Sequence, residues 1–346
     1  MAEALAGDAA GFERALAPRP FVFPPDHGAH PSFRNEWWYF TGNLEGQGQP
    51  FAGRRFGFQL TFFRTGLAPG DPARPSAWAT HQLWMTHFAL TDVENRRFWA
   101  FERFSRQALD LAGARAEPFR VHLLDWQATS EGGEIPPLRL EAAQDGVAID
   151  FQLAPGKPIV LHGEGGLSRK SAEAGNASYY YSLPRLPARG TVTVAGRQVP
   201  VSGLAWLDRE WSTSVLGAGQ TGWDWLSLQL DDGTDLMFFE LRSTEEAGRV
   251  RSGTLVRPDG TSRPLDLTQA RWTTLDTWQS PKTGVTYPAR IRLELPREGL
   301  DLTITPLLPD QELNLAFRYW EGAIEAEGTL ASSAARGRGY LELTGY

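Results

Sequence analysis

The sequence contains no cysteine, which removes several chemistries at once. A disulfide framework, a thiol nucleophile and every cysteine-containing zinc site are excluded. Basic residues do not gather into a stripe, and the formal net charge is -7 at pH 7. No apolar run approaches the roughly 20 residues that a membrane-spanning helix needs. We therefore expect no nucleic-acid partner and no transmembrane segment.

Aromatic residues, in contrast, are abundant, with 13 Trp, 19 Phe and 8 Tyr among 346 residues. Such a content suits β-barrels that enclose a bulky apolar ligand, although aromatic-rich β cores without a ligand explain it equally well. Short segments of alternating residues are separated by Gly, Pro and Asp-Gly turns, and no long helical periodicity competes with them. Asp232-Gly233, between two such segments, predicts a β-hairpin. The sequence predicts an all-β chain with room for two domains.

Two clusters combine acidic and aromatic residues. The first, DHGAHPSFRNEWWYFTGNL at residues 26–44, reads as a strand in which Glu36 alternates with Trp38. A carboxylate at this place is costly to bury unless a partner pairs with it. The second cluster is LAWLDREWSTS at residues 204–214, followed by GWDW at residues 222–225. Two clusters of this kind in one chain predict a shared cavity.

The second cluster contains the strongest candidate for acid–base chemistry. Trp206, Asp208 and Glu210 share one face of a strand, so the two carboxylates are roughly 7 Å apart. In a dry site each favours protonation of the other. An acid beside Trp206 can then stay neutral near pH 7 and donate a proton, as protonation of an isolated alkene requires. The alternative is a charge pair with Arg209 or Arg34 at a barrel rim.

Three further polar residues are candidate catalytic residues. Asp224 shares a strand face with a run of leucines, so it lies either at a barrel mouth or in a cavity. Glu36 and His87 stand among aromatic residues, and for His87 the simpler interpretation is a hydrogen-bonded core residue. Because each of these groups is costly to bury, we expect them to line one cavity together with Asp208 and Glu210.

Several familiar motifs are out of context or missing. The stretch GAGQTG at residues 217–222 matches the letters of a dinucleotide-binding loop, but it precedes a strand instead of opening a helix. There is no G-x-S-x-G elbow and no H-E-x-x-H pair. His27 and His30 lie three residues apart, but no other spacing supports a metal site. We expect neither a metal ion nor a cofactor.

Eight segments, which follow one another between about Phe21 and Tyr346, resemble segments of a known protein family. They are DHGAHPSFRNEWWYFTGNL, FGFQLTFFR, THFALTD, GGLSRKSAEAGNASYYYSL, SGLAWLDREWSTSVLG, GWDWLSLQLDDGTDLMFFELR, PLLPDQELNL and YWEGAIEAEG. Together they resemble the carotenoid 1,2-hydratase-like, or AttH-like, family, whose members are often labelled predicted secreted hydrolases. The resemblance implies two lipocalin-like antiparallel β-barrel domains packed together, at residues 20–185 and 186–346, with a joint pocket.

The resemblance also implies roles for individual residues. In carotenoid hydratases an aromatic or His pair precedes a Tyr-x-Asp segment, and the Asp is taken as the proton donor. Asp208 matches that Asp, whereas Tyr179, Tyr181 and Trp206 replace the other three residues. An acid at Asp208 is therefore expected, but carotenoid hydration as such is not. The residues expected to bind substrate are Trp38, Tyr179, Tyr181, Trp206 and Trp225, some of them by stabilising a cation through their ring faces.

The expected function is acid–base chemistry on a small apolar molecule of terpenoid or polyketide-like type, by hydration, dehydration or cyclisation. Asp208 would donate the proton and Glu210 would maintain its protonation state. A lipid or pigment carrier is the alternative, and a secreted hydrolase ranks below it because no nucleophile motif is present. The family's frequent export implies a periplasmic or secreted protein with its signal peptide removed. Since residues 1–20 lack the apolar core of such a signal, a cytoplasmic location is the alternative. The oligomeric state does not follow from the sequence.

Overall fold

The chain folds almost entirely into antiparallel β-strands. The computed structural model describes residues 9–132, 134–214, 216–217 and 219–346. In these residues helical structure is limited to three short 3-10 helices at Pro25–His27, Glu246–Gly248 and Pro296–Glu298. None of the helices formed by this part of the chain is long and apolar enough to cross a membrane. The prediction of an all-β chain is confirmed.

Within the described residues the first sheet contains 13 strands. They are β1 (Asn35–Gly46), β2 (Arg55–Gly66), β3 (Gln82–Asp92), β4 (Arg97–Arg106), β5 (Ala112–Arg115), β6 (Arg120–Leu123), β7 (Trp126–Thr129), β8 (Leu138–Gln144), β9 (Val147–Leu153), β10 (Val160–Leu161), β11 (Leu167–Arg169), β12 (Ala177–Val194) and β13 (Arg197–Ser212). Their order across the sheet is β4-β3-β2-β1-β13-β12-β9-β8-β7-β6-β5, and β10 and β11 also pair with β12. The sheet rolls up, so that β6 approaches β2, β3 and β4.

The second sheet contains ten strands in the described part of the chain. They are β14 (Gln220–Leu230), β15 (Asp235–Ser243), β16 (Val250–Val256), β17 (Ser262–Pro264), β18 (Arg271–Gln279), β19 (Thr286–Leu295), β20 (Leu300–Pro306), β21 (Glu312–Asn314), β22 (Arg318–Leu330) and β23 (Ser333–Thr344). Their order is β17-β16-β15-β14-β23-β22-β20-β19-β18, with β21 beside β22. The predicted hairpin at Asp232-Gly233 is confirmed, since β14 pairs with β15 and Gly233 has φ +91°, which favours glycine.

Alternation along the strands sorts apolar side chains into a separate core for each sheet. In β2, Phe58, Leu60 and Phe62 are buried inside the first barrel. In β14, Leu226 and Leu228 are buried inside the second. Removal of these side chains from water is the main contribution that stabilises such cores. Both sheets are barrel- or half-barrel-shaped, which confirms the expectation of two packed antiparallel barrels.

The outer faces of the two sheets pack against each other and form a third apolar cluster. In β1, Trp38 and Phe40 point into the first barrel, whereas Tyr39 points towards the second sheet. The buried members of this cluster are Tyr39, Tyr180, Trp206, Trp225, Met237, Phe239, Leu241, Ala323 and Tyr340. Strands such as β1 and β13 are therefore covered on both faces, so polar groups on either face are shielded from water.

The chain passes from the first sheet to the second between Ser212 and Gln220. The boundary at 185/186 that the sequence suggested falls inside β12, which pairs with β13 and β9 in the first sheet. The segment before it is rich in Gly, Ser and Pro, but the strands that follow still complete the first sheet. The division into two domains stays a prediction, and the change of sheet after β13 is the natural place for it.

Candidate functional site

A cavity with largely aromatic walls lies between the two sheets. Its volume is about 80 Å³, counted as the space open to the centres of water-sized molecules, which is room for several waters. The lining residues are Trp37, Tyr39, Gln59, Phe63, Lys170, Tyr180, Asp208, Glu210, Ser212, Ser214, Trp223, Trp225, Phe239, Leu241, Tyr319, Glu321 and Glu342. Both sheets and both sequence clusters contribute to this lining.

Asp208, in β13, is buried in the wall that the first sheet provides, with 3% of its surface exposed. Its carboxyl group accepts hydrogen bonds from the Tyr180 hydroxyl (2.5 Å), from Trp206 Nε1 (2.6 Å) and from the Ser182 hydroxyl. Burial raises the pKa of Asp208 from 3.8 to about 7, although these hydrogen bonds act in the opposite direction. A substantial fraction of the carboxyl is therefore protonated at neutral pH and can donate its proton.

Tyr180 carries a hydroxyl group next to both Asp208 and the cavity. It also accepts a hydrogen bond of 3.0 Å from Trp225 Nε1. Burial, together with the charge of Asp208, raises the pKa of Tyr180 well above 10, so the side chain keeps its proton. When Asp208 is protonated, the hydroxyl oxygen can accept that proton and turn its own hydrogen towards the cavity. Tyr180 can therefore relay a proton from Asp208 to a bound molecule.

His162 connects this acid to the second sheet. Its Nε2 lies 2.6 Å from the Ser182 hydroxyl, which donates to Asp208, and its Nδ1 lies 2.8 Å from the Thr254 hydroxyl of β16. Burial and the nearby charge of Lys170 lower the pKa of His162 to about 3. The imidazole is thus neutral and fixes the hydrogen-bonded chain without adding a charge.

Glu210, two residues after Asp208, pairs with Lys170. Lys170 Nζ lies 2.8 Å from Glu210 Oε1, and both side chains line the cavity. The ammonium also lies 4.5 Å from the centre of the Phe239 ring, within the range of a cation–π contact. The charge of Glu210 raises the pKa of Asp208, but it is a smaller cause than burial. Glu210 therefore mainly holds Lys170 in the cavity wall.

The second sheet contributes a pair of carboxyl groups on the other wall. Glu321 in β22 stands directly opposite Glu342 in β23. Tyr39 donates a short hydrogen bond to Glu321 Oε1, which links the pair to β1. Burial raises the pKa of Glu321 well above its usual value, and the neighbouring charge of Glu342 adds to the shift. Withdrawal from water also raises the pKa of Glu342 to about 7.

The cavity wall brings together several groups that can exchange protons. Four carboxyl groups face it with one cationic side chain, Lys170, among its lining residues, so the acids cannot all be ionised there at low cost. Among the described residues, no group of three or more His, Asp or Glu side chains is arranged to hold a metal ion. Protonated acids, hydroxyl groups and aromatic faces are what a bound molecule would meet.

Glu36, which we expected in the cavity, lies elsewhere. Both of its oxygens pair with arginines, Oε1 with Arg64 and Oε2 with Arg209, and the backbone amide of His30 donates to it at 3.0 Å. Burial alone would raise the pKa of Glu36, but the two arginines outweigh it and hold that pKa well below its usual range. Arg209 also covers the ring of Trp38, 3.8 Å from its centre, inside the first barrel. Glu36 and Trp38 thus belong to a buried ionic cluster away from the cavity lining.

His87 and Asp224 also lie outside the cavity lining. His87 stands behind Tyr319, with its Nδ1 2.7 Å from that hydroxyl, and burial lowers the pKa of the imidazole. Asp224 faces the second barrel, where Arg242 Nε lies 3.1 Å from Oδ1 and the Tyr346 hydroxyl donates at 2.9 Å. Burial raises the pKa of Asp224 to about 6. His87 thus contacts two lining residues, Tyr319 and Phe63, without lining the cavity itself. Asp224 is paired with Arg242 on the side of the second barrel.

Of the five aromatic residues expected to bind substrate, Trp225 is the one that lines the cavity. Tyr179 and Tyr181 lie on the opposite face of β12, in a cluster with Phe33 and other residues of the first half. Trp206 lies behind the cavity lining and donates to the carboxyl of Asp208. The middle residue of the tyrosine triplet, Tyr180, is the one that reaches the cavity.

Sequence reasoning missed Tyr180, Lys170 and Glu342. Lys170 occurs in a polar stretch that resembles a linker, so nothing in its surroundings indicates burial. Glu342 had a usable signal, because it alternates with Tyr340 and Thr344 in the last strand and so shares a face with an aromatic residue. An acid in that position is the same pattern that identified Asp208 beside Trp206.

Solved structures show what this fold resembles. Kievitone hydratase from Nectria haematococca has a TM-score of 0.73 at 16% sequence identity, covering 96% of this chain and 96% of its own. CghA has a TM-score of 0.52 at 13% identity, covering 98% and 97%. At these identities the likeness shows a shared two-barrel fold alone. Among curated proteins no sequence is similar enough to count as a match.

Two further comparisons concern the family itself. An AttH-type protein from Nitrosomonas europaea has a TM-score of 0.81 at 38% identity, covering 96% of this chain and 100% of its own. The AttH-like family model matches residues 14–346. The resemblance noted from the sequence is thereby confirmed, and the chain belongs to the AttH-like family.

Proposed function

We propose that this protein is an acid–base enzyme that hydrates, dehydrates or cyclises an apolar, alkene-bearing substrate in the cavity between its two sheets. The observation that carries the proposal is the buried carboxyl of Asp208, hydrogen-bonded to a Tyr180 hydroxyl that faces the cavity. A neutral carboxylic acid in an apolar site is the group that alkene protonation needs. Kievitone hydratase, which shares the fold, is named as a hydratase, and this agrees with the proposal.

The first step transfers a proton to the alkene. The π electrons of the double bond take the proton of the Tyr180 hydroxyl and form a C–H bond, while Tyr180 takes the proton of Asp208. Asp208 is left as a carboxylate, and a carbocation remains at the neighbouring carbon. Hydration then follows when a water oxygen forms a C–O bond to that carbon and releases a proton. Dehydration is the reverse sequence, and cyclisation replaces the water by a second double bond.

Aromatic rings surround the position at which positive charge would develop. Trp225 packs edge-on against Tyr39, with 5.1 Å between ring centres, and Trp223 and Phe239 complete this part of the wall. The faces of such rings attract a cation. They also exclude bulk water, so a carbocation would meet only the water molecule that the site admits. These walls favour a terpenoid or polyketide-like substrate.

The test uses a panel of apolar compounds with an isolated double bond, such as prenylated phenols and linear isoprenoid alcohols, in oxygen-18 water. We expect the wild type to convert at least one compound to an alcohol that carries the label, detected by mass spectrometry. Asp208→Asn keeps the shape of the side chain but removes the transferable proton, so turnover should fall at least ~100-fold. The exposed acid Glu327, at the far end of β22, provides the control, and Glu327→Gln should keep wild-type turnover.

A carrier would behave differently in the same experiment. It would bind compounds of the panel without changing them, and Trp225→Ala would weaken binding because apolar contact area supplies the affinity. Asp208→Asn would then leave binding nearly unchanged, and no compound would acquire oxygen-18. That pattern would contradict the proposed function.

A further inference from the structure

The carboxyl pair on the second sheet, Glu321 and Glu342, has no role in the proton donation described above. Glu321 is fully buried, yet its Oε2 finds no hydrogen-bond partner among the described residues, while Oε1 accepts from Tyr39. Both residues line the cavity. A buried carboxyl oxygen without a partner is costly, and here that oxygen belongs to a side chain at the cavity surface. It is therefore available to a donor on a bound molecule.

Among the described residues, the groups that act on the pair are hydroxyl, indole and carboxyl groups. Besides burial, which is the largest cause, the charge of Glu321 raises the pKa of Tyr39, Tyr319 and Tyr340. The charge of Asp208 adds to the raised pKa of Glu321, and the charge of Glu210 adds to the raised pKa of Glu342. Trp223 and Thr344 contact the carboxyl of Glu342 through hydrogen bonds. In the described part of the chain, neither carboxyl forms an ion pair with Lys, Arg or His. Two adjacent carboxyls without a cation retain one proton between them, because like charges at close range oppose a second ionisation.

We propose that Glu321 and Glu342 form a second proton-exchange site, which binds the attacking water and accepts its proton while the Asp208–Tyr180 wall protonates the substrate. This inference rests on the proposed function and adds the groups that bind and deprotonate the attacking water. The water oxygen forms the C–O bond to the carbocation, its O–H bond breaks, and the proton goes to the ionised member of the pair. At the end Asp208 is a carboxylate and the pair holds two protons. Return of one proton from the pair to Asp208 restores the enzyme, and the net reaction is then alkene plus water to alcohol.

The geometry favours proton donation from one wall of the cavity and proton acceptance by the other. Tyr39 is the direct cross-strand neighbour of Asp208 in the first sheet, and its hydroxyl donates to Glu321 in the second. Tyr39 therefore marks the place where the two acid sites meet, and it can return a proton from one to the other after turnover. An acid on one wall and a base on the other suit the addition of H and OH to the two neighbouring carbons of a double bond, because one wall supplies a proton and the other accepts one.

The experiment separates substrate protonation from water capture. The panel compound that gains most oxygen-18 is incubated in deuterium oxide with the wild type, Glu342→Gln, Glu321→Gln, Asp208→Asn and the control Glu327→Gln. Reversible protonation is measured as deuterium in the recovered alkene, and water capture as alcohol formed. We expect Glu342→Gln and Glu321→Gln to lose alcohol formation at least ~100-fold while deuterium still enters the recovered alkene within several-fold of the wild-type rate. Asp208→Asn should lose both.

A second measurement needs no substrate. Infrared difference spectra of wild type against Glu321→Gln, recorded near neutral pH in water and in deuterium oxide, report whether the missing group was a protonated carboxyl or a carboxylate. We expect the band of a protonated carboxyl to disappear. Thermal unfolding of each variant, compared with Glu327→Gln, shows that the fold is retained.

Two results would overturn the inference. In the first, Glu342→Gln loses deuterium exchange and alcohol formation to the same extent as Asp208→Asn. The acids of both walls would then act as one site, without a separate site for water capture. In the second, the band that disappears in Glu321→Gln is that of an ionised carboxylate. Glu321 would then carry no proton, and the pair would not share one. If the wild type transforms no compound of the panel, the proposed function fails in the earlier experiment, and the infrared spectra decide the protonation of the pair independently.

Discussion

Replacement of Asp208 by Asn should change the stability of the protein in a way that depends on pH. Folding raises the pKa of this carboxyl from 3.8 to about 7, so the folded state binds its proton more tightly than the unfolded state. The stabilising effect of that proton is complete below about pH 3.8 and is lost as pH rises to about 7. Asn cannot ionise. The free energy of unfolding of the variant minus that of the wild type should therefore rise by about 3 kcal/mol between about pH 5 and about pH 9, since each pKa unit corresponds to about 1.4 kcal/mol.

Urea unfolding of both proteins at several pH values measures this difference directly. The loss of hydrogen-bond acceptors in Asn shifts the whole curve by a constant amount, so it does not alter the rise with pH. Met237→Leu is a suitable control because Met237 is fully buried in the same cluster between the sheets and does not titrate. A difference that stays flat between about pH 5 and about pH 9 would refute the reasoning, because the carboxyl would then have the same proton affinity folded and unfolded.

Three other variants give sharp expectations. Tyr180→Phe removes the hydroxyl relay, so turnover in oxygen-18 water should fall ~100-fold or more, and wild-type turnover in this variant would exclude the relay. Lys170→Met leaves the Glu210 carboxylate buried without its cation and should destabilise the protein by about 3–5 kcal/mol in urea unfolding. Adding Glu210→Gln should recover most of that loss, whereas additive losses would disprove the pairing. Asp224→Asn should cost about 1–3 kcal/mol because Arg242 loses a partner, and a large fall in turnover would show that Asp224 acts in the reaction after all.

The sequence identified the elements of the fold better than their connections. Alternating residues and the Asp232-Gly233 turn indicated strands and one hairpin, because these features depend only on local side-chain periodicity and turn geometry. The position of β12 and β13 did not follow in the same way. β1 pairs with β13 along its whole length, and a pairing between strands so distant in sequence leaves no local signal. The change of sheet consequently lies after Ser212 and not near residue 185.

The candidate site was predicted in part, for a related reason. The face shared by Trp206 and Asp208 was clear because apolar residues alternate with them along β13. In β12 the run from Ala177 to Pro184 is buried on both faces, so alternation did not reveal that Tyr180 points to the cavity. Glu36 was misplaced because its partners come from other strands, with Arg64 directly across from it in β2. Such ion pairs are set by register, which hydrophobic pattern alone does not fix.

The role of Asp208 as proton donor depends on a substantial fraction of its carboxyl staying protonated near pH 7. Carbon-13 NMR of protein labelled at the aspartate carboxyl groups, with the Asp208 signal assigned by its loss in Asp208→Asn, follows the titration of this one group. We expect a midpoint near pH 7, because burial in the cavity wall raises the pKa of this carboxyl. A midpoint near the ordinary aspartate value of about 4 would mean that Asp208 is a carboxylate under working conditions, and it would contradict its role as the proton donor.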